Sequence, residues 1–436
     1  MDSNLPRLYK DYGAYSNYRN FPLDIDGLKP VERRVLLSAY KIARGKFVKS
    51  RQVDAYTIGH YHPHGECYGS IVQLVRQGFL IGQGNFGTNV GVEPVGPAAP
   101  RYTECQIHPK TTEMAFKYVD NVQWVDSELG DREPLYLPTM FPICLMGTDY
   151  TQGIGFGYKT YIPCYHVKDL YQRLLWLLGL RKNKPIIAPI TDCKILSDKA
   201  LLDKLLTTGK AKVHVEGIVD INTKTNTAQL KSWPAGKRFE SFLNKFSKEL
   251  NEGLIGFTDL SVTETNIVFQ VIRERNRDKI FEQFIEKMKE VIQGYISFEV
   301  VVVDSNQNVL TKSIDNMLLD TYKMFTNTNE NMLKSEIVKI DETISEYNNL
   351  SIIRPVIISG ITAKKSIEEI IDDIEKNTPV TKQIAKELIS KYRISKLITI
   401  DVDTSQLINK KIEINNNLND LSTFVMNQYV ECLTKI

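Results

Sequence analysis

From about residue 311 to the C-terminus the chain has one glycine, Gly360, and is dominated by Ile, Asn, Lys and Glu. Glycine is the residue that most readily lets a backbone reverse, so a long stretch almost without it is committed to extended helices. The apolar residues agree. Ile314, Met317, Leu318, Tyr322, Phe325, Met332, Ile337, Ile340 and Ile344 recur at helical spacing. So do Leu407, Ile408, Ile412, Ile414, Leu418, Leu421, Phe424 and Val425. Two long helices flanking a smaller globule, at about 346–403, predict an antiparallel stalk with a head. Two ordinary amphipathic helices on a common core would show the same pattern. Asp401-Val402-Asp403 reads as a solvated helix boundary rather than a metal site.

The remainder of the chain has a different texture. Residues 1–165 hold most of the glycine and proline punctuation and most of the histidines, as loops that carry chemistry do. Residues 166–310 alternate helical stretches (167–180, 239–252) with strand-like runs (266–272, 295–303). The expected architecture is therefore α+β and multidomain, in three segments: 1–165, 166–310 and 311–436. Six scattered cysteines without CxxC spacing argue against a zinc ribbon or a disulfide framework and fit a reducing compartment. The polar N-terminus lacks the apolar core of a signal peptide, and the longest apolar run, 174–180, is too short to span a membrane. Cytoplasmic location and no membrane partner are expected.

Net charge is only +3, but Lys29, Arg33, Arg34, Lys41, Arg44, Lys46, Lys49 and Arg51 stand against the single acid Glu32 within one short segment. Such a patch is the footprint of a polyanion binder, or else a solvated helix face. Asp26-Gly27 marks a turn and Pro30 suits the first turn of a helix. Val31, Val35, Ala39 and Ile42 form the apolar stripe of that helix, leaving Arg33, Arg34, Lys41 and Arg44 on its other faces. An arginine fork can hydrogen-bond two phosphate oxygens at once.

Further motifs follow. In His60-Tyr61-His62-Pro63-His64-Gly65-Glu66, Pro63 and Gly65 prevent one element from aligning the histidines, and no usual zinc set is completed. A turn opening a helix over 66–77 fits better, with first-turn amides and histidines free to meet a phosphate. Gly82-Gln83-Gly84-Asn85-Phe86-Gly87 spells GxGxxG, but Gly91, Pro94, Gly96, Pro97 and Pro100 forbid the helix that a dinucleotide site needs. In Pro100-Arg101-Tyr102-Thr103-Glu104, Tyr102 is a surface aromatic or a nucleophile, with Arg101 supplying positive charge beside it. In Gly153-Ile154-Gly155-Phe156-Gly157, Ile154 is either a buried strand residue or an apolar wedge able to enter a base step and kink DNA.

The order and spacing of DGLKPVxRR, YHPHG, GQGNFG, AAxRYTE and a GIxxG segment before Ile-Pro resemble the breakage-reunion subunit of type IIA topoisomerases, the family of gyrase A and topoisomerase IV A subunits. The likeness is strong over about 19–166 and one of layout beyond. In layout the chain looks most like the separate cleavage subunit of T-even-type bacteriophage topoisomerases. The resemblance implies a winged-helix DNA-gate domain, an α+β tower domain, and a long antiparallel coiled-coil stalk ending in a helical dimer gate. It implies that Tyr102 is the nucleophile that forms a 5′-phosphotyrosyl link. Arg101, Arg19, Arg34 and His62 would surround the scissile phosphate. Lys29, Arg33, His64, Gln83, Gly84, Asn85 and Gly87 would contact DNA, with Ile154 as the wedge. Glu32 departs from the family pattern and puts an acid among the arginines, the loop over 88–97 is longer, and Cys67 stands where a small hydroxyl is usual near the family's drug site. No acidic cluster for magnesium and no ATP-binding motif is apparent, so a separate ATPase/TOPRIM subunit would supply Mg²⁺ and ATP hydrolysis to a homodimer acting on double-stranded DNA. The rival readings are a non-catalytic architectural DNA-binding protein and a nucleotide-dependent oxidoreductase.

Overall fold

The computed structural model describes residues 5–88, 90–234, 239–273, 275–392, 397, 399 and 401–435. Residues 1–4 of the polar N-terminus, Asn89 of the long loop and part of the expected head lie outside the described residues. The chain forms two compact units, residues 1–325 with 431–436, and residues 326–430.

The first unit begins with four helices: α1 (Leu5–Asn20), α2 (Pro30–Ile42), α3 (Ser50–His60) and α4 (Tyr68–Arg76). They share a small antiparallel sheet of β1 (Val48–Lys49), β2 (Leu80–Gln83) and β3 (Glu104–Ile107), with β3 in the centre. The predicted stripe of α2 packs inward: Val35 and Ala39 are fully buried against Val53, Ile71 and Leu74. Glu32 is buried as well. Its carboxylate accepts from the Lys29 amide at 2.9 Å, so this acid caps its own helix, at the edge of a groove that Arg19 and Lys29 also line. Burial pushes its carboxyl pKa up.

Arg33 requires a correction. It is 6% exposed and paired through Nε and Nη2 with Asp26, at 2.7 and 3.0 Å. Asp26 also accepts from the amides of Leu28 and Leu137, both at 3.0 Å. Burial works against the Arg33 charge, yet Asp26 holds its pKa above the ordinary value. Arg33 therefore belongs to the core and does not present its guanidinium to a ligand. Of the eight basic residues in the patch, Arg33, Arg34, Lys49 and Arg51 are paired with carboxylates, so the local charge in space is smaller than along the chain.

A five-stranded sheet, ordered Thr151–Ile154, Lys159–Ile162, Gln293–Glu299, Lys210–Glu216, Lys194–Ile195, draws strands from both sides of the boundary expected at residue 165. The expected boundary therefore runs through one sheet. A four-stranded antiparallel sheet (Val219–Asn222, Thr227–Leu230, Ile267–Val271, Ile255–Asp259) packs Phe269 against Phe242, Phe246 and Phe284 of neighbouring helices. The run expected over 295–303 divides at Val300: Val301–Val303 leaves the larger sheet to pair with Val309–Thr311.

The glycine-poor segment forms a helix over Ile314–Thr362. Its first turns, with Ile314, Met317, Leu318 and Phe325 buried, belong to the first unit, which moves the break from the expected 310 to 325. In the second unit this helix packs against Ser405–Asn419, with ion pairs from Glu336 to Lys410 and from Asp341 to Lys411. Leu333, Ile340 and Ile414 form their seam. Leu350, Ile353 and Ile357 pack with Ile370, Ile374 and Leu388 into a separate helical cluster. Asp403 precedes Ser405–Asn419 and accepts from the Ser405 amide at 2.9 Å, as a helix-boundary residue does. Among the described residues, no helix is long and apolar enough to cross a membrane.

Removing the Asp26 carboxylate would strand a buried guanidinium and two amides. Asp26→Ala is expected to cost about 3–5 kcal/mol, read as a lower urea midpoint for the first unit. A midpoint within error of the parent would show that the pair contributes nothing.

Candidate nucleic-acid cleavage site

Tyr102 lies in a tight turn just before β3, against the start of α3. The amides of Ser50 and Arg51, at the start of α3, donate to the carbonyls of Thr103 (2.9 Å) and Pro100 (3.2 Å). The hydroxyl of Tyr68 on α4 donates to the Ala98 carbonyl at 2.6 Å and lies 3.0 Å from Thr103 Oγ1. Thr103 Oγ1 donates in turn to Ser50 Oγ at 2.8 Å. The backbone is thus held on several sides, and Thr103 is fully buried, yet Tyr102 is 64% exposed. A nucleophile needs both properties: an accessible oxygen and a fixed approach. The Arg101 guanidinium lies 4.6 Å from the Tyr102 ring centroid, so its positive charge accompanies the phenol.

The glycine loop braces this turn. Gly84, at φ +104°, passes so close that a Cβ there would stand 3.3 Å from the Tyr102 carbonyl oxygen. Gly87, at φ +75°, has no room for a side chain beneath Val95 and Arg76. The Asn85 side chain accepts from the Gly87 amide at 2.7 Å, and its carbonyl accepts from Ala98 at 2.9 Å. After Gly87 the chain makes an antiparallel bridge, Thr88 with Val95, instead of a helix. The dinucleotide reading loses its required element.

A second cluster gathers the other expected residues. Arg34 holds Glu133 with two hydrogen bonds of 2.8 Å, and its Nη1 lies 3.2 Å from His62 Nδ1 and 3.5 Å from Glu128. A guanidinium can only donate, so His62 Nδ1 must accept, which makes the ring neutral with its proton on Nε2. Burial, with Arg34 close by, lowers the His62 pKa to about 4, in the same direction. His64 Nε2 lies 2.5 Å from the Tyr15 hydroxyl and 3.0 Å from Glu128. Arg19 lies over the Tyr15 ring at 5.6 Å. His62 and His64 meet edge to face, with ring centroids 5.2 Å apart, whereas His60 is drawn away to Asp131 at 3.0 Å.

Arg19 and Lys29 also line a groove of about 510 Å³, with Gln73, Gln77 and Gln152. The Lys29 ammonium donates to the Gln152 carbonyl at 2.5 Å, on the hairpin that carries Ile154. Ile154 is 81% exposed at the end of its strand. It is therefore no buried strand residue. A larger cavity, about 710 Å³, adjoins this groove along Asp149, Tyr150 and Gln152 and is lined further by Val92, Trp233 and Phe239, but by none of the expected site residues.

The sequence reading missed Glu128, Glu133, Tyr15 and Asp54. Asp54 accepts from the Cys67 amide at 2.8 Å, so that opening amide of α4 is already engaged rather than free for a phosphate. Cys67 itself is buried, its thiol pushed up to about 12 by burial. No hydrogen bond, ion pair or ring contact joins Tyr102 and Arg101 to the Arg34–His62 cluster among the described residues. Nor does any group of three or more His, Cys, Asp or Glu among them converge to hold a metal ion.

The folded chain keeps His62 neutral down to about pH 4, whereas an unfolded histidine takes up its proton near 6.5. The stability this contributes is complete above that higher value and is lost as pH falls toward the lower one. Thermal midpoints measured across this window should fall less steeply for His62→Gln than for the parent; equal slopes would contradict the assigned neutral state.

Residues 19–433 match the model of the family formed by the A subunits of DNA gyrase and topoisomerase IV. The chain is 27% identical over 331 residues to the DNA gyrase A protein of Mycobacterium tuberculosis, covering 68% of this chain and 38% of that protein. It is 28% identical over 341 residues to the DNA gyrase A protein of Haloquadratum walsbyi, covering 71% and 38%. Over a shorter span of 193 residues it is 35% identical to the Streptomyces coelicolor protein of the same name, covering 41% and 22%. The chain thus spans well under half the length of these relatives.

Proposed function

The chain belongs to the family of DNA gyrase and topoisomerase IV A subunits, and on that premise we propose that it is the DNA-cleaving component of a type IIA topoisomerase, an isomerase of DNA topology. The observation that carries this reading is the turn at Tyr102, braced through Ser50, Arg51 and Tyr68, with an exposed phenol beside Arg101.

In the proposed reaction, the Tyr102 oxygen attacks the scissile phosphorus. A Tyr–O–P bond forms, the bond from phosphorus to the 3′ oxygen breaks, and a 5′-phosphotyrosyl end and a free 3′-hydroxyl result. The phenol gives up its proton and the leaving oxygen gains one. The energy of the cut bond is retained, so reversal reseals the strand. Arg101, Arg19 and Arg34 supply positive charge toward the developing phosphorane, and His62 offers its Nε2 proton. The scissile phosphate would span the gap between the Tyr102 turn and the Arg34–His62 cluster. Lys29, His64 and the loop Gln83, Gly84, Asn85, Gly87 are proposed to flank the duplex, and Ile154 to enter a base step. Arg33 is left out of this set because Asp26 and the Leu28 carbonyl hold its fork in the core, whereas Arg34, equally buried and held by Glu133 through Nε and Nη2, keeps Nη1 turned toward His62.

We read the helices α1–α4 with their small sheet as a winged-helix DNA gate, the following α+β segment as a tower, and the antiparallel helices with their terminal cluster as a coiled-coil stalk and dimer gate. Two chains would cut opposite strands of double-stranded DNA while a second duplex passes. A separate subunit with ATPase and TOPRIM domains would hold Mg²⁺, which polarises the reacting phosphate, and would hydrolyse ATP in the cytoplasm of a bacterium or a phage-infected cell.

Tyr102→Phe, reconstituted with that partner, is expected to lose covalent DNA adducts and relaxation of supercoiled DNA while duplex binding stays at the parental level. Adducts persisting in this variant would remove Tyr102 from the reaction. A parent chain that binds DNA but never forms adducts would favour the architectural reading.

A further inference from the structure

We infer that Asn17 is a positioning residue for the DNA-bending wedge, an inference that rests on the wedge reading of Ile154 proposed above. The wedge sits on a narrow hairpin. Thr151–Ile154 pairs with Lys159–Ile162 up to Ile154 opposite Lys159, and the Gly155 amide closes the turn on the Tyr158 carbonyl at 3.0 Å. Thr151–Ile154 is also the edge strand of its sheet. A hairpin tip with no other support is weakly ordered. An apolar side chain that must force a base step open works only if its support does not yield.

Asn17, on α1, supplies that support. It is 5% exposed, and its carboxamide meets both backbone groups of one tip residue. Its Nδ2 donates to the Phe156 carbonyl at 3.3 Å, and its Oδ1 accepts from the Phe156 amide at 2.6 Å. The side chain thus acts as a strand partner two hydrogen bonds wide. Phe156 completes the attachment. Its ring meets Tyr9 and Tyr12 edge-on, with centroids 5.8 and 6.4 Å apart. A Cβ on Gly13 would stand 2.9 Å from that ring.

The alternating glycines acquire a reason from this contact. A Cβ on Gly155 would lie 2.2 Å from Asn17 Oδ1, and one on Gly153 would lie 2.3 Å from the Asn20 carbonyl oxygen. Both glycines let α1 lie directly against the hairpin, and Ile154 between them faces outward. The same helix carries Tyr15, which meets His64, and Arg19, which lies over Tyr15. One helix therefore supports both the wedge and part of the phosphate cluster.

The test uses the full chain with two readouts: hydrogen exchange at the amides of residues 153–158, and bending of an end-labelled duplex by fluorescence transfer. Asn17→Ala is expected to speed exchange at the Phe156 amide about tenfold, the effect of one lost buried hydrogen bond, and to straighten bound DNA to the level of Ile154→Ala. The double variant should bend DNA no less than Ile154→Ala alone. Asn17→Asp, which keeps the acceptor for the Phe156 amide, should fall between parent and alanine in both readouts. Bending lost in Ile154→Ala but kept in Asn17→Ala would overturn the role of Asn17 alone. Bending unchanged in Ile154→Ala would overturn the wedge reading and this inference with it.

Discussion

The buried pair of Asp26 and Arg33 sets the geometry on which the candidate site depends. Asp26 receives the Arg33 fork and two amides from segments far apart in sequence, at Leu28 and Leu137. Its backbone carbonyl accepts from Ile143, and Gly27, at φ +69°, leaves room for Ile143 and Cys144 to close over the turn. Such a pair is weak as a source of net stability but demanding in geometry, because an unpartnered buried charge is costly. It therefore fixes the angle at which α2 leaves the turn. Lys29 precedes that helix and Arg34 follows Arg33 on it, so their directions are fixed too. Successive helical residues point about 100° apart, which is how Arg33 enters the core while Arg34 reaches Glu133 and His62.

The Tyr102 turn shows a second use of backbone polarity. The amides at the start of a helix can bind anions, but those of Ser50 and Arg51 are spent on carbonyls of the turn. The Cys67 amide is likewise held by Asp54. These groups hold loops in place and are already engaged within the fold. The result is a phenol with fixed backbone and open access, and a neutral histidine whose remaining proton faces away from Arg34.

Much of this was legible in local patterns. The scarcity of glycine and the helical repeat anticipate the long helix through Ile340 and its partner through Ile414. Proline and glycine after Gly87 rule out a helix there, and Pro30 marks the start of α2. What was not legible depends on contacts between distant segments. Nothing in the local sequence distinguishes Arg33 from Arg34, because Asp26 and Glu133 choose between them. Glu32 is an acid among cations in the local sequence, and its carboxylate caps α2. The boundary at 165 follows a change of composition, but strands on either side of it share one sheet. The glycines around Ile154 fit two opposite readings, and the close approach of α1, with the Asn20 carbonyl at Gly153 and Asn17 Oδ1 at Gly155, explains why the backbone at these two positions is bare.

The central claim is that the Tyr102 oxygen becomes covalently bound to DNA. The most direct measurement traps cleavage complexes formed on supercoiled DNA with the metal-bearing partner, digests both polymers, and locates the residual nucleotide by mass spectrometry. The account predicts a 5′-linked nucleotide on the peptide containing Arg101-Tyr102-Thr103, attached at Tyr102. A nucleotide on any other residue would contradict it.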